Sequence, residues 1–352
     1  MTKYYTRVCN FYYGNTSKKL VNKNITIPLS GNKTISFDQI EIFSRNKKKV
    51  SSKTINIKKI KFLPIVIKKK VISDIKKITS KRVFLKNKSH LLMGILNMTP
   101  DSFSDGGKFN ISSKAFKRIS EMVSSGADII DIGGESTRPG SKIIPPKIEW
   151  KRVEKVFVNF KKKFPKTLLS IDTRKSLVMK NATRFKVDVI NDVSCFKFDE
   201  KSYKTVSNKN LWKIIHHMQG TPQTMQINPK YNHTLLDIYD FFEEEIKKLK
   251  KDKYHKKIVL DPGIGFGKNL KHNLMILRNI SIFHSLGFPI LIGTSRKRFI
   301  NQISKNFDTS ERLGGTLASI LFSLCQGVQI FRVHNVEEVK QGILVFETLI
   351  NR

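Results

Sequence analysis

Eight short polar clusters carry the residues able to do chemistry, and each stands at the end of an apolar run. The first opens at Asn97 and runs through Thr99, Asp101, Ser102, Ser104 and Asp105 to Gly106-Gly107, a set of oxygen donors that suits a metal ion or an anion. The second is Asp131-Ile132-Gly133-Gly134-Glu135-Ser136-Thr137-Arg138-Pro139-Gly140, and the third is Asp172-Thr173-Arg174. Asn191-Asp192 and His216-His217-Met218-Gln219-Gly220 follow. The last three are Asp261-Pro262-Gly263-Ile264-Gly265-Phe266-Gly267-Lys268, Gly293-Thr294-Ser295-Arg296-Lys297, and Arg332 with His334. Solvated turns would favour Lys, Asn and Ser at random. Asp, Asn, Arg and His at successive ends point to one converging site.

The apolar runs that position these clusters are Leu91–Leu96, Asp128–Ile132, Leu168–Ile171, Val187–Ile190, Leu211–Ile215, Ile258–Leu260, Ile290–Ile292 and Val328–Val333. Each is short enough for a buried strand and is followed by a helical pattern. Ala115, Phe116, Ile119, Met122 and Val123 share one helical face, with Gly126 placed as a C-terminal cap. His233–Lys251 sets Glu243 four residues before Lys247. Val336, Val339, Ile343, Phe346 and Ile350 make the stripe of a last helix, and Asn335 with Glu338 predicts a capping box at its start. Eight strand-helix units in about 260 residues predict a (β/α)8 TIM barrel, whose active site forms at the C-terminal strand ends. A doubly wound sheet would carry fewer strands at this length.

Residues 1–89 precede the barrel and predict a small, basic N-terminal α+β extension; residues 90–352 predict the barrel domain. Thr26–Leu29, Ile35–Phe37, Ile40–Phe43, Ile55–Ile57 and Phe62–Ile67 read as strands, with Tyr4, Tyr5, Phe11, Tyr12 and Tyr13 as the seed of a small core. The formal net charge is +38. Residues 1–89 hold 20 Lys and 3 Arg against 3 acidic residues, and residues 90–352 hold 43 basic and 25 acidic ones. The excess is nearly all Lys, dispersed among Asn, Ile and Phe, without regular aromatic interleaving. That is a coding bias on solvated faces rather than a nucleic-acid platform, though it draws in anionic substrates. Cys9, Cys195 and Cys325 have no paired spacing, which fits a reducing compartment. No apolar run approaches the length of a membrane span and no signal-peptide core opens the chain, so a cytoplasmic protein without membrane or nucleic-acid partners is expected.

From about residue 91 onward these motifs, one per barrel unit and in order, resemble the dihydropteroate synthase family. The resemblance implies a transferase that joins 4-aminobenzoate to (7,8-dihydropterin-6-yl)methyl diphosphate and releases pyrophosphate, with Mg2+ as the metal and a homodimer as the expected assembly. Carried over motif by motif, it implies that Asn97 holds Mg2+ and the diphosphate, and that Arg332 and His334 grip the diphosphate. Asp172, Asn191, Asp261 and Lys297 are implied around the pterin, with Asp261, Lys297 and Asp172 as the catalytic set. Thr137, Arg138, Ser295 and Phe266 are implied at the aminobenzoate site, closed over by Phe103 and Asp105 of the first loop. For Asp131 and Glu135 a bracing role stands beside a ligand role, for Asp192 a capping role, for His217 a supporting hydrogen bond, and Lys268 reads equally as solvated. Three positions depart from the family pattern. His216 stands where Met is common against the pterin, Asn335 replaces a frequent Asp, and Ile264 replaces an aromatic. Two alternative functions remain: a pterin-dependent methyltransferase, which would lack the Arg332–His334 anion grip, and a synthase whose N-terminal segment is a flavin-dependent dihydropteroate reductase. Removal of residues 1–88 is expected to leave synthase activity measurable, at the risk of uncovering apolar surface.

Overall fold

The structure, a computed structural model, describes residues 2–82, 84, 88–99, 108–305, 308 and 311–350, with the backbone alone at 108–111. The chain opens with β1 (Lys3–Tyr13), α1 (Gly14–Asn22), β2 (Ile27–Leu29), β3 (Asn32–Asn46), β4 (Lys49–Asn56) and α2 (Ile65–Thr79). The four strands make an antiparallel sheet with β3 central, paired to β1, β2 and β4. Val8, Leu29, Phe37, Ile40, Ile42 and Ile55 of this sheet pack on Val71 and Ile78 of α2. The strand expected at Phe62–Ile67 is instead the end of a 3-10 turn (Ile57–Phe62) followed by the first turn of α2. Pro64 sets the helix start, and Val71, Asp74 and Ile78 recur at helical spacing on the buried face, so the longer periodicity overrides a short β-branched run.

The barrel strands are β5 (Leu91–Asn97), β6 (Ile129–Gly133), β7 (Leu168–Asp172), β8 (Val189–Asp192), β9 (Trp212–His216), β10 (Ile258–Asp261), β11 (Leu291–Ile292) and β12 (Ile330–Val333). They are parallel and neighbour one another in the order β10-β9-β8-β7-β6-β5-β12-β11. A parallel bridge between Leu260 and Ile290 joins the remaining seam. Both faces of these strands are covered, which is why they read as unbroken apolar runs.

The two faces separate by a period of two. Leu91, Met93, Ile129, Val189, Ile214, Val259, Leu291 and Ile330 fill the barrel interior at its N-terminal end. Phe84 joins them from the connecting segment, its ring 4.2 Å from Trp212, and stoppers that end. The alternate residues, such as Leu92, Ile130, Ile171, Ile190, Leu260 and Phe331, pack outward against the helices. Continuing the inward phase toward the C-terminal ends reaches Asn97, Asp131, Asp172, Asn191, His216, Asp261 and Arg332. The rhythm that fills the core therefore also aims the polar residues into the barrel mouth.

The first sheet is fastened to the barrel by an aromatic contact ringed with charge. Tyr5 is fully buried, lies edge-on to Tyr239 at 5.1 Å and 87°, and donates its hydroxyl to Asp240 at 3.0 Å. Lys3 pairs with Asp240 at 2.6 Å and Glu243 at 2.7 Å, and Arg45 with Asp237 at 2.7 Å, all on α7 (Thr234–Leu249). Glu243 also meets Lys247 at 3.6 Å, the expected helical pair. Tyr5 and Phe43 belong to the core cluster that the barrel helices share, so deleting residues 1–88 uncovers that cluster. Among the described residues no helix is long and apolar enough to cross a membrane. Replacing Tyr5 by Ala should cost about 3–5 kcal/mol, the range for a large buried aromatic. Urea unfolding of the full chain measures this; a midpoint within error of the parent would show that the sheet does not support the barrel.

Candidate active site

The Asp131 carboxylate occupies the centre of the barrel mouth and is fully buried. It accepts from Ser170 Oγ at 2.5 Å, Asn191 Nδ2 at 3.0 Å and Arg332 Nε at 2.7 Å. Three donors occupy it, so Asp131 positions its neighbours, with Asn191 and Arg332 brought together through it. Arg332 also donates through Nη2 to Asp172 Oδ2 at 2.8 Å. Two of the five N–H donors of its guanidinium are thus committed to carboxylates.

Asp172 Oδ1 is buried without a hydrogen-bond partner. Burial pushes the Asp172 carboxyl up to about 7, Arg332 pulling it down and Asp131 adding to the rise. Asp261 accepts from Gly263 N at 2.8 Å. Burial likewise raises Asp261, to about 6, against that hydrogen bond and the Lys297 and Arg332 cations. The turn that supplies this donor requires glycine: Gly263 has φ +69°, and a Cβ there would lie 2.0 Å from the His217 carbonyl oxygen. Lys297 holds its ammonium 4.1 Å from the centre of the Phe266 ring, and burial together with Arg332 pushes it down to about 8.

Ser295 Oγ lies 3.0 Å from His334 Nδ1 and also accepts from His334 N at 3.3 Å. Burial, with Arg332, Arg296, Lys297 and Arg138 around it, pushes His334 down to about 3, so the ring is neutral and offers a hydrogen bond rather than a charge. Between Ser295 and Lys297, Arg296 adopts the left-handed region at φ 60°. Its guanidinium donates to Asn335 Oδ1 at 2.8 Å and its amide to Thr316 Oγ1 at 3.1 Å, which hold the strained turn. The Asn335 amide donates to Glu338 at 2.9 Å. Asn335 therefore ties the seventh and eighth loops together, in place of the capping box expected from the sequence.

The second loop is clamped from below. Lys175 Nζ donates to Glu135 Oε1 at 2.6 Å, Glu149 Oε2 at 2.7 Å and the Ile144 carbonyl at 2.7 Å, and Arg174 donates to Glu135 Oε2 at 2.9 Å. Glu135 also accepts from Ile144 N at 3.0 Å, which closes the loop that carries Thr137 and Arg138. All four charged residues are buried. Thr137 is half-buried and Arg138 exposed on this loop. Lys175 was missed in the sequence; its only signal was its place directly after Asp172-Thr173-Arg174.

Asp192 accepts from Ser194 N at 2.7 Å, Ser194 Oγ at 2.6 Å and Phe196 N at 3.1 Å, so it organises the turn after β8. Lys268 is buried rather than solvated: it donates to the Phe266 carbonyl at 2.8 Å and lies 2.9 Å from His217 Nδ1. His217 is thereby a support beneath the site. Asn97 ends β5, half-buried at the rim of the mouth. Phe103 and Asp105 lie outside the described residues. Among the described residues no group of three or more His, Cys, Asp and Glu could hold a metal ion.

A (β/α)8 barrel whose mouth gathers three aspartates, a lysine and an arginine has the build of a barrel enzyme with its active site at the C-terminal strand ends. Residues 93–334 match the family model described as pterin binding enzyme. The dihydropteroate synthase of Escherichia coli (strain K12) is 39% identical over 261 residues, spanning 74% of this chain and 92% of that protein. The solved dihydropteroate synthase of Yersinia pestis, in a sulfonamide drug complex, matches with a TM-score of 0.68 at 37% identity, covering 75% of this chain and 95% of that one. That of Xanthomonas albilineans with 4-aminobenzoic acid matches with a TM-score of 0.68 at 31% identity, covering 74% and 93%. The chain therefore belongs to the dihydropteroate synthase family of pterin-binding enzymes.

Replacing Lys175 by Met strands the buried Glu149 carboxylate, while Glu135 keeps Arg174 and Ile144 N, a change expected to cost about 3–5 kcal/mol. Lys175→Met should unfold at distinctly lower urea than the parent, and more so at pH 8 than at pH 5, where the stranded Glu149 can take up a proton. Equal midpoints at both pH values would show that the clamp carries no such charge.

Proposed function

We propose that this chain condenses 4-aminobenzoate with (7,8-dihydropterin-6-yl)methyl diphosphate to give 7,8-dihydropteroate and pyrophosphate. The observation that carries the reading is the under-satisfied acceptor set of the mouth: the buried, unpartnered Asp172 Oδ1 at the end of β7 and the raised carboxyl of Asp261 at the end of β10. The 2-amino-pyrimidinone edge of a pterin presents the N–H donors such acceptors require, in paired bonds. In this reading Asp172, Asn191 and Asp261 receive the pterin and Lys297 donates to its ring acceptors. Ser295, Phe266, Thr137 and Arg138, with Phe103 and Asp105, shape the aminobenzoate site. Arg332 and neutral His334 hold the diphosphate.

The aniline nitrogen attacks the pterin methylene carbon as a neutral amine while the carbon–oxygen bond to the diphosphate breaks. Positive charge builds on the ring and is stabilised by Asp172 and Asp261, already dehydrated and fixed in place. The anilinium so formed is acidic enough to release its proton to water, so no strong base is required. The amide oxygen of Asn97 is a hard donor of the kind Mg2+ takes. Asn97 is therefore the residue that would hold Mg2+, which when bound offsets the charge of the leaving diphosphate.

We further read residues 1–89 as an accessory domain and the assembly as a homodimer. The support for a dimer is the exposed apolar set on neighbouring helices α10 (Leu313–Cys325) and α11 (Val336–Ile350): Phe322, Leu344, Val345 and Leu349. A cytoplasmic location is consistent with the absence of a spanning helix among the described residues. No observation favours the methyltransferase or the flavin-dependent reductase.

The direct test incubates the purified chain with the pterin diphosphate, 4-aminobenzoate and Mg2+ and measures pyrophosphate. Asn97→Ala should retain the fold and lose two or more orders of magnitude in turnover; near-parental activity removes Asn97 from the metal site. The pH profile follows from the shifted groups. Asp261 and Asp172 present acceptors on both oxygens and a full negative charge only when ionised, so kcat/KM falls as the pH drops through about 6 to 7. Lys297 donates only when protonated, so kcat/KM also falls as the pH rises through about 8. Lys297→Arg keeps its charge and should extend the alkaline side. An alkaline limb that does not move would dissociate Lys297 from it.

A further inference from the structure

His216 ends β9 in the inward phase of the barrel and is buried, with its ring edge-on to Phe266 at 4.5 Å and 84°. Its Nδ1 lies 3.1 Å from the Val193 carbonyl oxygen. A carbonyl only accepts, so Nδ1 carries the proton and the tautomer is set. Burial, reinforced by the Lys268 and Lys297 cations, keeps the ring neutral, far below its ordinary titration range. Nε2 therefore presents a bare lone pair. It stands 3.8 Å from Asp261 Oδ2, too far for a hydrogen bond. The other Asp261 oxygen is engaged by Gly263 N at 2.8 Å. Two acceptors thus lie side by side at the bottom of the mouth, and neither can satisfy the other.

This arrangement excludes the simpler roles. To orient Asp261, His216 would need a donor at Nε2, and the tautomer puts none there. An aromatic shelf alone would need no fixed tautomer. What the pair requires is a ligand that brings two N–H donors at once, either from one amino group or from an amino group and the ring N–H beside it. We propose that His216 Nε2 and Asp261 Oδ2 form a single two-acceptor clamp for the 2-amino-pyrimidinone edge of the substrate, which makes His216 a specificity-determining residue. The inference rests on the pterin reading above and deepens it. A 2-oxo heterocycle of the same shape would place a third acceptor against the pair. A site built to take donors rejects an analogue that lacks them far more strongly than it rejects a difference in bulk.

The experiment titrates pterin and its 2-oxo analogue lumazine into the parent chain, His216→Met and His216→Gln by calorimetry, with turnover followed in parallel. The parent should prefer pterin. His216→Met fills the space without an acceptor at Nε2 and should lose about tenfold of that preference. His216→Gln, whose amide oxygen can accept, should recover most of the loss. Preference undiminished in His216→Met, or lost equally in both variants, overturns the clamp. A separate reading needs no variant: in histidine-labelled parent protein, pterin should shift the Nε2 nitrogen resonance toward the hydrogen-bonded range and leave Nδ1 nearly unmoved. An unmoved Nε2 signal at saturation also overturns it. Failure of the parent to bind pterin or make product would bring down the synthase reading itself, and the clamp with it. An active parent whose His216→Met variant keeps the preference would bring down the clamp alone.

Discussion

Burying the Asp131 carboxylate is the constraint around which the barrel mouth is organised. An isolated ionised carboxylate in such a place is prohibitively unfavourable unless donors surround it. Ser170 from β7, Asn191 from β8 and Arg332 from β12 all converge on it. Three strands, one of them far away in sequence, are thereby held in one rotational register about the barrel axis. Arg332 is in turn stretched across to Asp172. The guanidinium has a fixed planar fork, so those two carboxylates hold it in a defined orientation. The geometry of the site is set by this internal charge balance before any ligand arrives.

The balance is incomplete by design of the register. Asp131 is saturated, whereas Asp172 keeps an orphaned oxygen and Asp261 an oxygen facing a histidine lone pair. Burial pushes both of these carboxyls upward, and like charge from Asp131 adds to the rise in Asp172. A pocket of under-satisfied acceptors has a preferred visitor, a flat molecule with N–H donors on one edge. In the proposed reaction, the energy lost by leaving those acceptors dry is recovered when the visitor binds, and part of it only as positive charge develops on the ring. Such an arrangement stabilises the transition state more than the bound substrate.

Much of this was legible in the sequence because two periodicities coincide. The eight apolar runs match the eight strands to within two residues at either end, and the interior layer of Leu91, Met93, Ile129, Val189, Ile214, Val259, Leu291 and Ile330 has the same two-residue phase as the polar ends. Anyone extending that phase reaches Asn97, Asp172, Asn191, His216, Asp261 and Arg332. What could not be read are pairings between distant residues with no common period. Lys175 looked like one more lysine in a lysine-rich chain, although it makes three buried bonds to the second loop and α4 (Pro146–Lys163). Lys268 was ambiguous for the same reason. Asn335 reads as a cap because Asn and Glu three apart usually are one; besides Glu338 it binds Arg296, thirty-nine positions away.

The N-terminal sheet shows how composition misleads. Its lysines dominate the residue count, but its attachment rests on Tyr5, Phe43 and two cations, Lys3 and Arg45, matched to three acids of α7. Asp237, Asp240 and Glu243 are an unusually acidic run in a chain of net charge +38, and Lys3 and Arg45 land on them. Exposed ion pairs of this kind contribute little on their own. Around a buried aromatic they do something different: they match one face of the sheet to one helix by charge. In so basic a chain the few acids carry the orientational information. The same holds in the mouth, where Asp131, Asp172 and Asp261 orient Arg332 and Lys297 around the space left for the substrate.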